Sequence, residues 1–222
     1  NNVIIGDIHG CGYELEEVIR HFSEHNYIAV GDLFDRSSNG VKVWELIHEY
    51  NISSCLGNHE HKVYKYLTGE RDHLPSHYFY FLNKFVERYS LDDLVSFIES
   101  LPLIIKLDDK SLVTHGGVVL YDPWKEDVSA NVYGSYDPNK KMPRYSDGAD
   151  DWWNSYNKDV RVYFGHITSR NIRIKNNTFG LDTSACHGNM LTSICHETGE
   201  IFQVRSKDYF SKVKTFDNTP KR

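Results

Sequence analysis

What the chain lacks narrows the field first. Nowhere in its 222 residues does an apolar run approach the roughly 18–20 residues of a membrane-spanning helix; the longest candidates, such as Leu101–Leu107, are broken by residues like Pro102 and Lys106. No basic stretch followed by an apolar one stands at the start, where Asn1-Asn2-Val3-Ile4-Ile5 reads directly as a first strand. Cysteine is scarce. Cys11, Cys55, Cys186 and Cys195 form no Cys-x-x-Cys pair and are too few for a disulfide scaffold, so they read as reduced thiols of a cytoplasmic protein. Positive charge is short too. The formal net charge of −6 argues against extended nucleic-acid binding, which needs clustered Lys and Arg, and leaves room for a small local phosphate site. Gly6, Gly10 and Gly12 miss the G-x-G-x-x-G spacing of a dinucleotide fold, and no Gly-Lys-Ser/Thr of a P-loop follows. Internal repeats and low-complexity tracts are absent.

What is present has the composition of an ordinary globular chain, and a single domain over 1–222 is the simplest account. The first 60 residues alternate. Val3–Gly6, Tyr27–Val30 and Ile52–Leu56 read as buried strands; Tyr13–Phe22, with Leu15, Val18, Ile19 and Phe22 at helical spacing, and Val41–Tyr50 read as helices. That order predicts a parallel sheet with crossover helices. Helices are expected over His61–Leu67, His77–Tyr89 and Asp92–Leu101. Short strands follow at Leu103–Leu107, Ser111–Thr114, Val160–Phe164, Asn171–Lys175, Met190–Cys195 and Ile201–Val204. The stretch 118–150 has no periodicity and reads as a long substrate-side loop, and 206–222 as a polar tail.

The chemistry sits at the strand ends, where parallel sheets collect ligands. Three strands run into Gly6-Asp7-Ile8-His9-Gly10, Gly31-Asp32-Leu33-Phe34-Asp35-Arg36 and Gly57-Asn58-His59-Glu60; two later ones run into His115 and His166. Any one Gly-Asp is usually a turn, and any one buried His is usually a hydrogen-bonded core residue. Five ends that all carry oxygen or nitrogen donors suited to divalent metals are not explained by turn shape, and point to a two-metal site.

These motifs resemble the phosphoprotein phosphatase branch of the calcineurin-like metallophosphoesterases, of the compact bacterial and phage type. Asp7, Asp32 and Asn58 stand 25 and 26 residues apart, as in that family's three signatures, and His115 and His166 follow in order. The resemblance implies an α/β fold in which a central two-sheet β-sandwich is flanked by helices. It implies two divalent metals, with Mn suggested and Fe, Zn or Ni also suited to the donors. Asp7 and His9 would bind one ion, Asn58, His115 and His166 the other, and Asp32 both. His59 would be the general acid oriented by Asp35, Arg36 would hold phosphate oxygens, and a hydroxide bridging the metals would attack phosphorus. Arg144 is a candidate second phosphate clamp, weighed against a solvated loop residue. Asp182 is a candidate carboxylate near the leaving group, weighed against a turn cap. Trp152 and Trp153 read as core aromatics. The sequence departs from the family pattern at Ser37, Ile167 and Ser184.

The implied activity is phosphate-ester hydrolysis, foremost of a protein phosphoserine/threonine type. The alternatives are symmetrical dinucleoside tetraphosphate hydrolysis and action on 2′,3′-phosphate ends of RNA. The implied partner is a phosphorylated substrate: a phosphoprotein, a dinucleoside polyphosphate or a phosphorylated RNA end. A non-catalytic binding protein would be expected to have lost part of the ligand set, which here is complete. His21, His25, His48, His61, His73, His77 and His196 read as solvated, and His187 is left open.

Overall fold

The computed structural model describes residues 1–134 and 151–207. Strands β1 (Asn2–Ile5), β2 (Asn26–Ala29) and β3 (Ser53–Ser54) pair in parallel, linked by helices α1 (Gly12–His21) and α2 (Gly40–Glu49). Two antiparallel strands, β9 (Met190–Cys195) and β10 (Ile201–Arg205), return from the far end of the chain to complete the sheet in the order β10-β9-β1-β2-β3. A second sheet runs β4-β5-β6-β8-β7. In it β5 (Ser111–Thr114), β6 (Arg161–Phe164) and β8 (Thr178–Gly180) are parallel, while β4 (Ile104–Asp108) and β7 (Arg173–Lys175) form antiparallel edges.

Side-chain alternation along the strands decides the layers. In β1, Val3 and Ile5 face the helices, among Leu15, Val18 and Ile19 of α1 and Val43 and Ile47 of α2. Ile4 points the other way and packs with Ile28, Val30, Val113, Tyr163, Leu181 and Ile194 between the sheets. On the outer face of the second sheet Trp152, Trp153 and Tyr156 cover Leu112, Val162 and Phe164. The result is two mixed sheets flanked by helices, as the resemblance implied. Helices α3 (Asn58–Leu67), α4 (Ser76–Phe85) and α5 (Leu91–Ser100) complete the first helical layer.

Three differences from the sequence expectations stand out, two of them with local causes. Within 118–150, Val128–Tyr133 is a helix (α6), begun by the Asp127 carboxylate accepting from the Ala130 amide and ended by Gly134 in the left-handed region. Its six residues are too few to show a period. The segment after His166 holds two short strands, β7 and β8, where one was expected; Asn176 and Asn177, both at positive φ, make the turn between them. Helix α4 stops at Phe85, short of Tyr89. No helix among the described residues is long and apolar enough to cross a membrane.

Candidate metal centre

The polar residues follow the strands directly: Asp7 and His9 after β1, Asp32 after β2, Asn58 in the first turn of α3 after β3, His115 after β5 and His166 after β6. Turning out of the strands so sharply drives non-glycine residues into the left-handed region: His9 has φ 45°, Asp32 53°, Arg36 83° and His166 67°. Each such residue costs on the order of 1–2 kcal/mol, so the turns must be held from outside. They are. The His9 amide donates to the Asp32 carbonyl at 2.8 Å and the Gly10 amide to the Leu33 carbonyl at 2.8 Å. The buried Glu60 carboxylate accepts from the Asp32 and Leu33 amides at 2.9 and 2.8 Å. Gly165 is needed for a different reason: a Cβ there would run into the Asp7 carboxylate and Val30.

Asp32 is the hub. Its Oδ1 lies 3.4 Å from His115 Nε2 and its Oδ2 lies 3.4 Å from His9 Nε2. Two clusters of potential metal ligands therefore share this one carboxylate: Asp32 with His115 and His166, and Asp32 with His9 and His59. Asn58 stands in the first of these, its amide 3.0 Å from His115 Nε2 and 2.9 Å from His166 Nδ1. Asp7 adjoins the first cluster, its carboxylate oxygens accepting the His166 amide at 3.2 and 3.1 Å, and belongs to neither ligand group itself.

The donor set fits divalent cations. His115 Nδ1 lies 3.0 Å from the Val30 carbonyl, to which it donates; this puts the lone pair on Nε2, facing Asp32 and Asn58. Burial lowers the pKa of His9, His115 and His166, the last to about 3, and keeps the rings neutral, as ligation requires. Burial raises the Asp32 pKa, but positive charge placed at His115, His59 and His9 outweighs it and lowers the pKa, so a cation among these nitrogens would keep the carboxyl ionised. Asp7 is pushed well up by burial and by the charges of Asp182 and Asp32. Neutral nitrogens and crowded carboxylates that face one another are relieved by a cation placed among them.

A second constellation adjoins the first. His59 Nδ1 lies 2.8 Å from both oxygens of Asp35, and its Nε2 lies 3.4 Å from Arg36 Nη2. Burial lowers the His59 pKa, yet the charges of Asp32 and Asp35 outweigh it and the ring's pKa is raised. Arg36 also reaches His187, whose Nε2 accepts from Nη1 at 3.1 Å, and Cys186.

Several expectations change here. His77 is no solvated helix residue: its Nε2 lies 3.5 Å from Asp35 Oδ2, its side chain is only 22% exposed, and its ring leans on Tyr78. His196 is likewise packed, between Tyr163 and Asp108, and His61 meets the Tyr133 hydroxyl; His48 lies against Trp44 yet stays exposed, as expected. Nothing local in the sequence marks His77; the packing of α4 brings it in. Glu60 was visible as part of a motif, but not as the clamp on the Asp32 turn. Asp182 is buried and accepts from the Ser184 amide at 3.0 Å, the turn-cap geometry, and its charge also bears on Asp7. Ser184, in place of glycine, keeps the left-handed conformation at φ 64°. Arg144 lies outside the described residues. Trp152 and Trp153 are core residues, as expected.

Comparison with known proteins follows the same outline. The sequence model of the family described as calcineurin-like phosphoesterase matches residues 3–200. The asymmetrical bis(5′-nucleosyl)-tetraphosphatase PrpE of Oceanobacillus iheyensis is 25% identical over 257 aligned positions, covering 96% of each chain. The protein of the same name from Bacillus cereus is 28% identical over 238 positions, covering 91% of this chain and 93% of its own. Among solved structures, a candidate diadenosine tetraphosphatase superposes with a TM-score of 0.72 at 23% identity, covering 92% of this chain and 93% of that one. A serine/threonine protein phosphatase from Saccharomyces cerevisiae reaches a TM-score of 0.58 at 18% identity, covering 92% and 79%. The structural likenesses show a shared fold.

Proposed function

The chain belongs to the calcineurin-like phosphoesterase family and is a metal-dependent phosphoester hydrolase, and we propose that its substrates are dinucleoside tetraphosphates. The observation that carries the chemistry is the single Asp32 carboxylate shared by two ligand clusters. The observation that favours this substrate over a phosphoprotein is the name of the relatives, matched along nearly their whole length. Those relatives are called asymmetrical, so the expected products are a nucleoside triphosphate and a monophosphate; the reading departs from the protein phosphatase put foremost by the sequence and follows its tetraphosphatase alternative, with asymmetrical in place of symmetrical cleavage.

In this proposal Asp7, His9 and Asp32 hold one divalent ion and Asp32, Asn58, His115 and His166 the other, with Mn as the expected metal. Two such ions supply Lewis-acid stabilisation of the phosphoryl oxygens and an activated water. The protein groups do the rest. Asp35 accepts the His59 Nδ1 proton and so fixes which nitrogen, Nε2, meets the leaving group. Arg36 offers a planar fork for two phosphate oxygens. While His59 is neutral its Nε2 can accept from Arg36; once protonated, both groups are donors and converge on substrate oxygens instead. Asp182 holds the turn that carries Cys186 and His187 behind Arg36, and Arg144 remains a candidate second clamp on the strength of its sequence position.

The test is a panel on Mn-loaded protein: diadenosine tetraphosphate, p-nitrophenyl phosphate, bis-p-nitrophenyl phosphate, a phosphopeptide and an RNA 2′,3′-cyclic phosphate, with products resolved by chromatography. The highest kcat/KM is expected on the tetraphosphate, giving ATP and AMP. A phosphopeptide preferred tenfold or more would overturn the substrate assignment in favour of a protein phosphatase.

A further inference from the structure

The first turn of α3 carries more than ligands. Lys62 stands four residues after Asn58, on the same face of the helix, with its Nζ 3.0 Å from the Asn58 amide. When Asn58 turns its oxygen to this ammonium, its nitrogen donates to Asp32 Oδ2 at 3.1 Å and lies 3.0 and 2.9 Å from His115 and His166. When the oxygen instead faces those imidazoles, as metal ligation demands, the ammonium meets the amide nitrogen, a donor against a donor. Lys62 then loses its acceptor. Among the described residues no carboxylate lies within ion-pairing distance of its Nζ.

Its surroundings are cationic as well as acidic. His166 feels the Lys62 charge, and Lys62 in turn feels Arg71 and Arg36. Arg71 is half-buried after the end of α3, tethered through its Nε to the His73 carbonyl, and its charge bears on Tyr133. Burial lowers the Lys62 pKa, offset in part by Asp32 and Asp35. Among the described residues Lys62 and Arg71 are half-buried and neither is ion-paired with a carboxylate, so a further anionic group would add the counter-charge that burial calls for. A phosphate monoester brings a single phosphoryl group, which Arg36 and the metal ions would take. A chain of phosphates brings a second and a third group.

We infer that Lys62, with Arg71 beside it, forms a second phosphate subsite on the His166 side of the centre, which takes a phosphoryl group adjacent to the one attacked and selects phosphate chains over monoesters. It presupposes the polyphosphate substrate proposed above, and goes beyond it in naming the residues that make the choice.

Binding of inorganic tripolyphosphate and of orthophosphate is measured by calorimetry on Mn-loaded wild type, Lys62→Met, Lys62→Arg and Arg71→Met. In Lys62→Met, tripolyphosphate should bind roughly 10- to 100-fold more weakly, the loss of one charge-assisted contact, while orthophosphate weakens less than threefold. Lys62→Arg should recover most of the tripolyphosphate affinity, and Arg71→Met should show the same selectivity with a smaller loss. On diadenosine tetraphosphate the Lys62→Met defect should fall on KM, with kcat held within about threefold. Equal weakening of both anions, or of neither, overturns the subsite. Because the anions are inorganic, the result stands apart from the nucleotide assignment: a wild type that binds tripolyphosphate through Lys62 but leaves diadenosine tetraphosphate intact sinks the assignment alone.

Discussion

At the scale of single residues, the centre depends on a few side chains that each hold two relationships at once. Asp32 faces His9 with one oxygen and His115 with the other. Asp32→Asn should therefore abolish hydrolysis and lower bound metal to one ion or none per chain, measured by atomic emission after gel filtration. His59 is tied to Asp35 through Nδ1. His59→Asn should cost about 10²–10⁴ in kcat on an alkyl phosphate and much less on p-nitrophenyl phosphate, whose leaving group needs little protonation. Asp35 also has a reading in stability. Burial would raise its pKa, but His59 and His9 outweigh it and hold the carboxyl well below the ordinary range. A folded pKa below the unfolded one gives stability that is present above the unfolded value and lost as pH falls through the folded one. Asp35→Asn should flatten the acid limb of a Tm-against-pH curve below about pH 4, the ordinary carboxyl value.

At the scale of elements, the turns after the strands are strained and are fastened by their neighbours. Glu60, in the first turn of α3, accepts two amides from the Asp32–Leu33 turn after β2. Glu60→Ala leaves two buried N–H groups unsatisfied, at about 1–3 kcal/mol each, and should lower the urea midpoint together with metal affinity. Glu60→Gln retains one acceptor oxygen and should fall between the two. The same helix presents Asn58, His59, Glu60 and Lys62 within its opening turns, so one element serves both ligand clusters, the hydrogen-bonded His59–Asp35 pair and the proposed phosphate subsite. Helix α4 was visible from its apolar spacing, but its delivery of His77 onto Asp35 was not, because sequence spacing says which face of a helix is buried and not which residue of another element it meets.

At the scale of the whole molecule, the two sheets meet so that the polar ends of β1, β2 and β3 in one and of β5 and β6 in the other converge. Buried neutral imidazoles and carboxylates are brought together from both sheets, and cations among them would tie the sheets together. Chelation should therefore lower Tm. At metal concentrations near 100 Kd the linkage is worth about 2.7 kcal/mol, which for a domain of this size is about 5–10 °C; scanning calorimetry with and without EDTA, followed by Mn addback, checks it.

The chain by itself determined the inventory. Glycine-flanked Asp, Asn and His at the ends of apolar runs, with separations of 25 and 26 residues between Asp7, Asp32 and Asn58, are local patterns, and local patterns survive in one dimension. The crossover helices and the buried apolar strand β1 were legible for the same reason. Tertiary structure alone decided the pairings: Asp32 reaching His9 and His115 with different oxygens, His77 folding onto Asp35, and β9 returning to lie beside β1. Those contacts join residues separated by tens to nearly two hundred positions, and their geometry is set by how two twisted sheets and a helical layer pack, which no periodicity along the chain encodes.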